Sequence, residues 1–360
     1  MITISLCMIV KNEEKMLNQC LQSIKGIPDE IIIVDTGSTD KTKEIASTWT
    51  NLVLDFNWQN DFSTARNFSF QHASKEYILW LDADDILLPQ EYEKLLTLKN
   101  NFDKKIDVVS MIYHTLLDKY NNVLTSTRRF RLIKNNNKFL WEGIVHEDIK
   151  TTDIYNCYFS DIVVTHKKEE SSPNRNLQIY ESAIKNGKKL SPQDLFHYAR
   201  ELQVNKRYKE AIEYHELFLS SQKELSTELL LFTYHNLACC YFQIDDFEKE
   251  LDLTLHSFKH DIPQPVFCCR MGEHFIKQTK YKQAIFWYSL AIKGEHESSQ
   301  NLIEHFIYKT WLPHKQLGFC YRILNQYELS YSHNKKVLEY LPDDIETIEA
   351  LNALEKIILS

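Results

Sequence analysis

Over the first 81 residues, short apolar runs alternate with segments of helical spacing, a pattern that the second half of the chain does not continue. Ile2 to Val10 reads as a strand, and Met16, Leu17, Cys20, Leu21 and Ile24 then recur on one helical face. Glu30-Ile31-Ile32-Ile33-Val34-Asp35 is a second strand, closed by the turn Thr36-Gly37-Ser38-Thr39-Asp40. Lys41 to Thr48 reads as a short helix, Leu52-Val53-Leu54 as a strand, Phe62 to Ala73 as a helix, and Tyr77 to Leu81 as a buried strand. This alternation predicts a largely parallel sheet with helices on both faces. Ligands of such sheets lie beyond the carboxyl ends of the strands. Lys11-Asn12-Glu13, Asp35 and Asp82 all stand at such ends, so three polar strand ends converge on one crevice. From Asp107 to about Lys168 the pattern changes to strands such as Val108–Tyr113, Arg129–Ile133 and Asp161–Thr165, and Ser171-Ser172-Pro173-Asn174 reads as a joint.

Asp82-Ala83-Asp84-Asp85 follows the Tyr77–Leu81 strand. Two carboxylates spaced i, i+2 at a strand end can share a divalent cation, and that cation can also hold a diphosphate. Alone, such a pair is more often an ordinary solvated turn.

The second half repeats a helical-hairpin phrase. Its aromatics Tyr208, Phe247, Tyr281 and Tyr327 each open a second helix, at intervals of 39, 34 and 46 residues. This is similar to tetratricopeptide repeats, whose period is about 34. Small residues let the paired helices approach and the aromatics fill the gap between them.

A chain of 360 residues exceeds one ordinary core, so two domains are expected, at 1–170 and 171–360. Its composition, 43% hydrophobic and 26% charged, is that of a soluble globular protein. No apolar run reaches the length of a membrane span. The opening segment has no basic n-region and no small-residue cleavage site, so it reads as a strand and not a signal peptide. The eight cysteines form no Cys-x-x-Cys, which predicts free thiols in a reducing cytoplasm. A net charge of −8 argues against a nucleic-acid partner.

Cys7-Met8-Ile9-Val10-Lys11-Asn12-Glu13-Glu14, then Ile33 to Thr42, then Leu81-Asp82-Ala83-Asp84-Asp85 resembles a family 2 glycosyltransferase of the GT-A fold. Thr127-Arg128-Arg129-Phe130-Arg131-Leu132 and Trp141-Glu142-Gly143-Ile144-Val145-His146-Glu147 resemble the branch with lipopolysaccharide-core glucosyltransferases and bacteriocin S-glycosyltransferases, the latter also followed by helical repeats. The resemblance implies a Rossmann-like α/β GT-A domain before an all-α tetratricopeptide-like domain. It implies inverting transfer from a nucleotide sugar, usually a UDP-sugar, with Mn²⁺ or Mg²⁺.

Residue by residue, the resemblance points to Asp84 as the most direct metal ligand, with His166 as a further one. Asp82 is assigned to the ribose or to a metal-bound water, and so to both the donor and the metal site. Asp35 corresponds to the carboxylate that accepts from the uracil N3–H. Val10, Asn12, Glu13, Arg66 and Ala83 fall in the donor-binding segments. Asn12 also reads as the cap of a helix with acidic residues in its first turn. Arg129 and Arg131 share one strand face that suits a diphosphate, a solvated surface being the plainer reading. Glu147 is the first candidate for the base that takes the acceptor's proton and Asp148 the second, while His146 orients the base or lines the acceptor pocket. Trp141 reads as a core tryptophan or a platform for the sugar. The expected partners are a nucleotide-sugar donor, a peptide, protein or glycan acceptor, and a second copy through the repeats. Two other readings are a nucleotidyltransferase and a repeat scaffold with an inactive catalytic domain. The first would want a Gly-rich basic loop where Lys11-Asn12-Glu13-Glu14 stands. The second is at odds with intact Asp35, Asp82, Asp84, Glu147 and His166.

Overall fold

The computed structural model describes residues 1–167, 174–221, 224–294 and 304–359. The boundary expected at 170/171 lies outside them, as does the expected joint at 171–174 apart from Asn174. The chain divides into two compact units, Met1–Leu116 with Ser126–Asn205, and Leu117–Thr125 with Lys206–Ser360.

In chain order the first 205 residues form β1 (Ile4–Val10), α1 (Leu17–Ser23), β2 (Glu30–Asp35), α2 (Thr42–Ser47), β3 (Val53–Asp55), α3 (Phe62–Gln71), β4 (Tyr77–Trp80), β5 (Asp85–Ile86), α4 (Pro89–Asn100), β6 (Val108–Leu117), β7 (Val123–Lys134), β8 (Leu140–Glu142), β9 (Asp148–Lys150), β10 (Cys157–His166), α5 (Arg175–Lys185) and α6 (Pro192–Val204). The main sheet runs β3-β2-β1-β4-β7-β6-β10-β5. β1 pairs in parallel with β2 and β4, β2 with β3, and β6 with β10. β7 runs antiparallel to β4, and β5 antiparallel to β10. The expected mostly parallel sheet is therefore present, with two antiparallel additions.

β1 has a hydrophobic core on each side. Leu6, Met8 and Val10 pack with Leu17, Cys20 and Leu21, whereas Cys7 packs with Ile32, Val34, Ile78 and Trp80. Burial on both faces is why β1 reads as an unbroken apolar run and not an alternating one. The parallel register puts the ends of β1, β2 and β4 along one edge, so Asn12, Asp35 and Asp82 follow side by side.

The second unit contains α7 (Tyr208–Ser221), α8 (Thr227–Gln243), α9 (Phe247–Ser257), α10 (Pro265–Lys277), α11 (Tyr281–Lys293), α12 (Trp311–Ile323), α13 (Tyr327–Tyr340) and α14 (Ile345–Ile358). Tyr208, Phe247, Tyr281 and Tyr327 each begin a helix, as the repeat pattern predicts. Close helix approach depends on small residues. A Cβ at Gly272 would lie 2.5 Å from the Tyr288 ring, and one at Gly318 would lie 2.7 Å from Asn334 Nδ2.

One repeated feature escapes the sequence pattern. Lys206, Asp245, Thr279 and Asn325 each precede an opening aromatic by two residues, and each has φ between 57° and 62°. The left-handed conformation is costly for most side chains and worst for a β-branched one, whereas asparagine tolerates it. Thr279→Asn should therefore raise stability by about 1 kcal/mol in urea unfolding followed by circular dichroism. An unchanged or lower midpoint would show that Thr279 is not strained.

Candidate active site

The stretch after β4 turns sharply, and its carboxylates have different fates. Asp85 is fully enclosed. Its Oδ2 accepts from Arg131 Nη1 at 2.8 Å and from the Asp82 backbone N–H at 3.0 Å. In the β5–β10 register His166 lies directly opposite Asp85. That pairing puts His166 Nδ1 3.3 Å from Asp84 Oδ1 and 3.4 Å from Asp85 Oδ1. Donor atoms of Asp84, Asp85 and His166 lie within 4.8 Å of one another. Burial opposes protonation of His166, but the hydrogen bonds to Asp84 and Asp85 prevail and push the imidazole up to about 10.

Asp82 faces elsewhere. Its Oδ1 accepts from Arg66 Nη2 at 2.6 Å, and Arg66 Nε donates to Glu147 Oε1 at 2.5 Å. Burial alone would raise the Asp82 carboxyl, but the charges of Arg66 and Arg131 hold it down at about 2. Arg66 thus joins the first aspartate of the motif to the candidate base. Its guanidinium lies 4.8 Å from both the Trp80 and the Trp141 ring centroids. Trp141 is buried and faces this arginine and the core, which answers the choice between core and sugar platform in favour of the core.

Arg131 also departs from expectation. It is fully enclosed, 3.8 Å from the Trp80 ring and 4.4 Å from Tyr113. It serves as the counter-ion of Asp85, and a side chain so enclosed has no surface to offer a diphosphate. Arg129 is partly exposed, with Nη1 3.9 Å from Asp148 Oδ1.

At the other strand ends, Asn12 adopts φ 56°, and its Oδ1 accepts from the Thr39 backbone N–H at 2.8 Å. It thereby ties the loop after β1 to the loop after β2; no side-chain cap forms on α1. Val10 and Ala83 are buried and shape the backbone of this edge. Burial, then the charges of Asp84 and Asp82, push Glu13 up to about 7. Asp35 Oδ1 accepts from the backbone N–H groups of Gly37 and Ser38, both at 2.9 Å. Its Oδ2 is buried and has no hydrogen-bond partner. A buried carboxylate oxygen without a donor is costly unless a ligand supplies one.

The candidate acceptor side is the loop between β8 and β9. Gly143 has φ 110°, and a Cβ there would lie 3.1 Å from Glu147 Cα, so the turn closes only with glycine. α3 holds one side of the loop. The Phe62 N–H donates to Ile144 O at 3.0 Å, and Asn67 exchanges hydrogen bonds with the Trp141 backbone at 2.9 and 3.0 Å. α6 holds the other side. Gln193 Nε2 donates to His146 O at 3.0 Å, and the Ile144 N–H points to Asp194 Oδ1 at 3.3 Å. His146 Nε2 lies 2.6 Å from Glu201 Oε1, and its ring stacks on His197 with centroids 4.5 Å apart. Asp148 Oδ2 faces Lys150 Nζ at 3.5 Å. Sequence reasoning missed Asp85, Trp80, Asp194, His197 and Glu201. Asp85 and Trp80 adjoin the motif and were open to notice; the α6 residues, some 50 positions beyond the loop, carry no local signal.

The profile described as Glycosyl transferase family 2 matches residues 5–160. The SPbeta prophage-derived glycosyltransferase SunS of Bacillus subtilis is 30% identical over 242 residues, covering 63% of this chain and 55% of that protein. The chain thus spans about half the length of that curated relative. A TPR repeat-containing protein of Synechococcus elongatus is 43% identical over 95 residues, covering 26% of this chain and 24% of its own. Among solved structures, glucosyl-3-phosphoglycerate synthase from Mycobacterium tuberculosis in complex with Mn²⁺ and UDP-glucose is 24% identical. That match covers 31% of this chain and 44% of the synthase, with a TM-score of 0.27. A TPR protein of Thermus thermophilus covers 51% of this chain and 90% of its own at 14% identity, with a TM-score of 0.36.

Proposed function

We propose that the protein, whose residues 5–160 match the glycosyl transferase family 2 profile, moves a sugar, with inversion, from a UDP-sugar to a hydroxyl or thiol of a peptide, protein or glycan. The observation that carries this reading is the convergence of Asp84, Asp85 and His166 at the carboxyl end of a parallel sheet. Two carboxylates and an imidazole suit Mn²⁺ better than Mg²⁺, which prefers oxygen alone. Asp84 and His166 would hold the ion, with Asp85 oriented behind them by Arg131. Such an ion supplies positive charge where the departing diphosphate gains negative charge.

The chain's own groups support the rest. The free Oδ2 of Asp35 is an acceptor suited to the imide N–H of uracil. Glu147, oriented through Arg66, accepts the acceptor's proton as that oxygen or sulfur bonds to the anomeric carbon. The sugar–UDP bond breaks on the opposite face, and its electron pair leaves with UDP. Asp148, more exposed, is the second candidate for this proton. The repeats offer helical faces to a peptide acceptor or a second copy. The cysteines, all free, support work in a reducing cytoplasm. Among the described residues no helix is long and apolar enough to cross a membrane.

A panel of nucleotide sugars, tested for Mn²⁺-dependent hydrolysis and thermal shift, examines the donor assignment directly. No response to any uridine donor would overturn it. Glu147→Gln should keep UDP affinity in calorimetry and lose about 10²–10⁴ in rate. Equal loss of UDP binding would make Glu147 a donor ligand and pass the base to Asp148.

A further inference from the structure

α6 lies beyond the family match, yet it grips three points of the loop that carries Glu147. The sequence starts this helix sharply, with Ser191 as N-cap, Pro192 in the first turn and Asp194 completing a capping box. Asp194 does two things at once. Its Oδ2 accepts from Ser191 Oγ at 2.7 Å, and its Oδ1 faces the Ile144 N–H. One turn on, His197 stacks on His146, and one further turn on, the buried Glu201 meets His146 Nε2. Asn176 of α5 donates its Nδ2–H to the same Glu201 oxygen at 3.1 Å.

An ionised carboxylate only accepts hydrogen bonds. Burial would raise Glu201, but the hydrogen bond and charge of His146 outweigh it and keep the carboxyl below its ordinary range. The proton of this contact therefore belongs to His146 Nε2, which leaves Nδ1 as the ring atom free to meet another group.

We propose that Glu201 is a positioning residue of the transfer site: it fixes the tautomer and orientation of His146, and through it the loop bearing Glu147, so that α6 completes the acceptor side. The inference rests on the transfer reading given above. It assigns to the first helical pair a share in the chemistry, separate from any docking role of the later repeats. A metal-bound histidine backed by a carboxylate follows the same logic, and loss of such a supporting partner typically costs 10- to 100-fold.

The test compares full-length wild type with Glu201→Leu and Glu201→Gln, using UDP with Mn²⁺ and UDP-glucose hydrolysis as probes. Nitrogen-15 spectra of the histidine rings, with His146→Phe for assignment, report the tautomer. We expect Glu201→Leu to lose the Nε2–H signature and about 10- to 100-fold in kcat, with the KM for UDP-glucose and UDP affinity unchanged. Glu201→Gln, which keeps an acceptor oxygen, should recover most of the rate even if the leucine variant is less stable. An unchanged kcat in Glu201→Leu, with Asp84→Asn inactive, would overturn this inference and leave the transfer reading intact. An equal fall in UDP affinity would show a general disturbance and also overturn it. A wild-type protein that neither binds UDP nor hydrolyses any uridine donor would remove the transfer reading and this role together.

Discussion

Asp84→Asn is expected to lose about 10²–10⁴ of the transfer rate while folding normally, because several kcal/mol of charge stabilisation on the leaving group depends on the ion it would hold. Asp84 is the carboxylate of the motif that no arginine claims: Asp82 is bound by Arg66 and Asp85 by Arg131. The substitution keeps volume but removes one of the two carboxylates that hold His166 protonated, so the melting temperature without metal should fall modestly, while the fold is kept. With Mn²⁺ and UDP, wild type should gain thermal stability that the variant does not. Near-normal turnover at limiting Mn²⁺ would remove Asp84 from the metal site.

Asp85→Ala is expected to act on the fold before the chemistry. Both partners of the Asp85–Arg131 pair are fully enclosed. Removing one leaves an uncompensated buried charge, which costs about 3–5 kcal/mol. Arg131 Nε and Nη2 already lack hydrogen-bond partners and depend on the rings of Trp80 and Tyr113 beside them. Chemical denaturation should therefore show a large drop for Asp85→Ala. The double variant Asp85→Leu with Arg131→Met should recover much of it, because a well-packed apolar pair can replace a buried ion pair. A drop below about 1 kcal/mol in the single variant would mean that water reaches this pair. Contrasting the neighbouring aspartates in one assay separates the metal from the scaffold.

Local patterns made much of the first half legible. β2 spans Glu30–Asp35 as read, since an isoleucine run bounded by a turn has few other uses. Helix α4 was not read, because Pro89 to Asn100 has a weak apolar stripe and follows directly on the motif. The family resemblance, and not a local pattern, points to Asp84 and His166, and the β5–β10 register brings them together. The reading that put Arg131 beside Arg129 on an accessible face failed because alternation gives a side chain's direction along a strand, not what covers that face. Asp85, the ring stack on Trp80 and the enclosure by Tyr113 decide its environment. Glu201 was illegible for a different reason: its meaning depends on a helix returning to a loop 55 residues earlier, and no local period records that.

The pairing of His166 with Asp85 spans 81 positions, and it sets an order of events during synthesis. A ribosome emits the chain from the N-terminus, and domains tend to fold as they emerge. The strands leading to Asn12, Asp35 and Asp82 can associate early, yet the cluster of Asp84, Asp85 and His166 does not form until β10 has been made and has docked at the sheet edge. Loop closure over such a separation is slow compared with local helix formation. A nascent chain therefore carries Asp84 without its histidine partner for the interval in which some eighty residues are added. Full assembly waits longer still, for α6. Assembly of the proposed site is thus timed to the completion of the first unit.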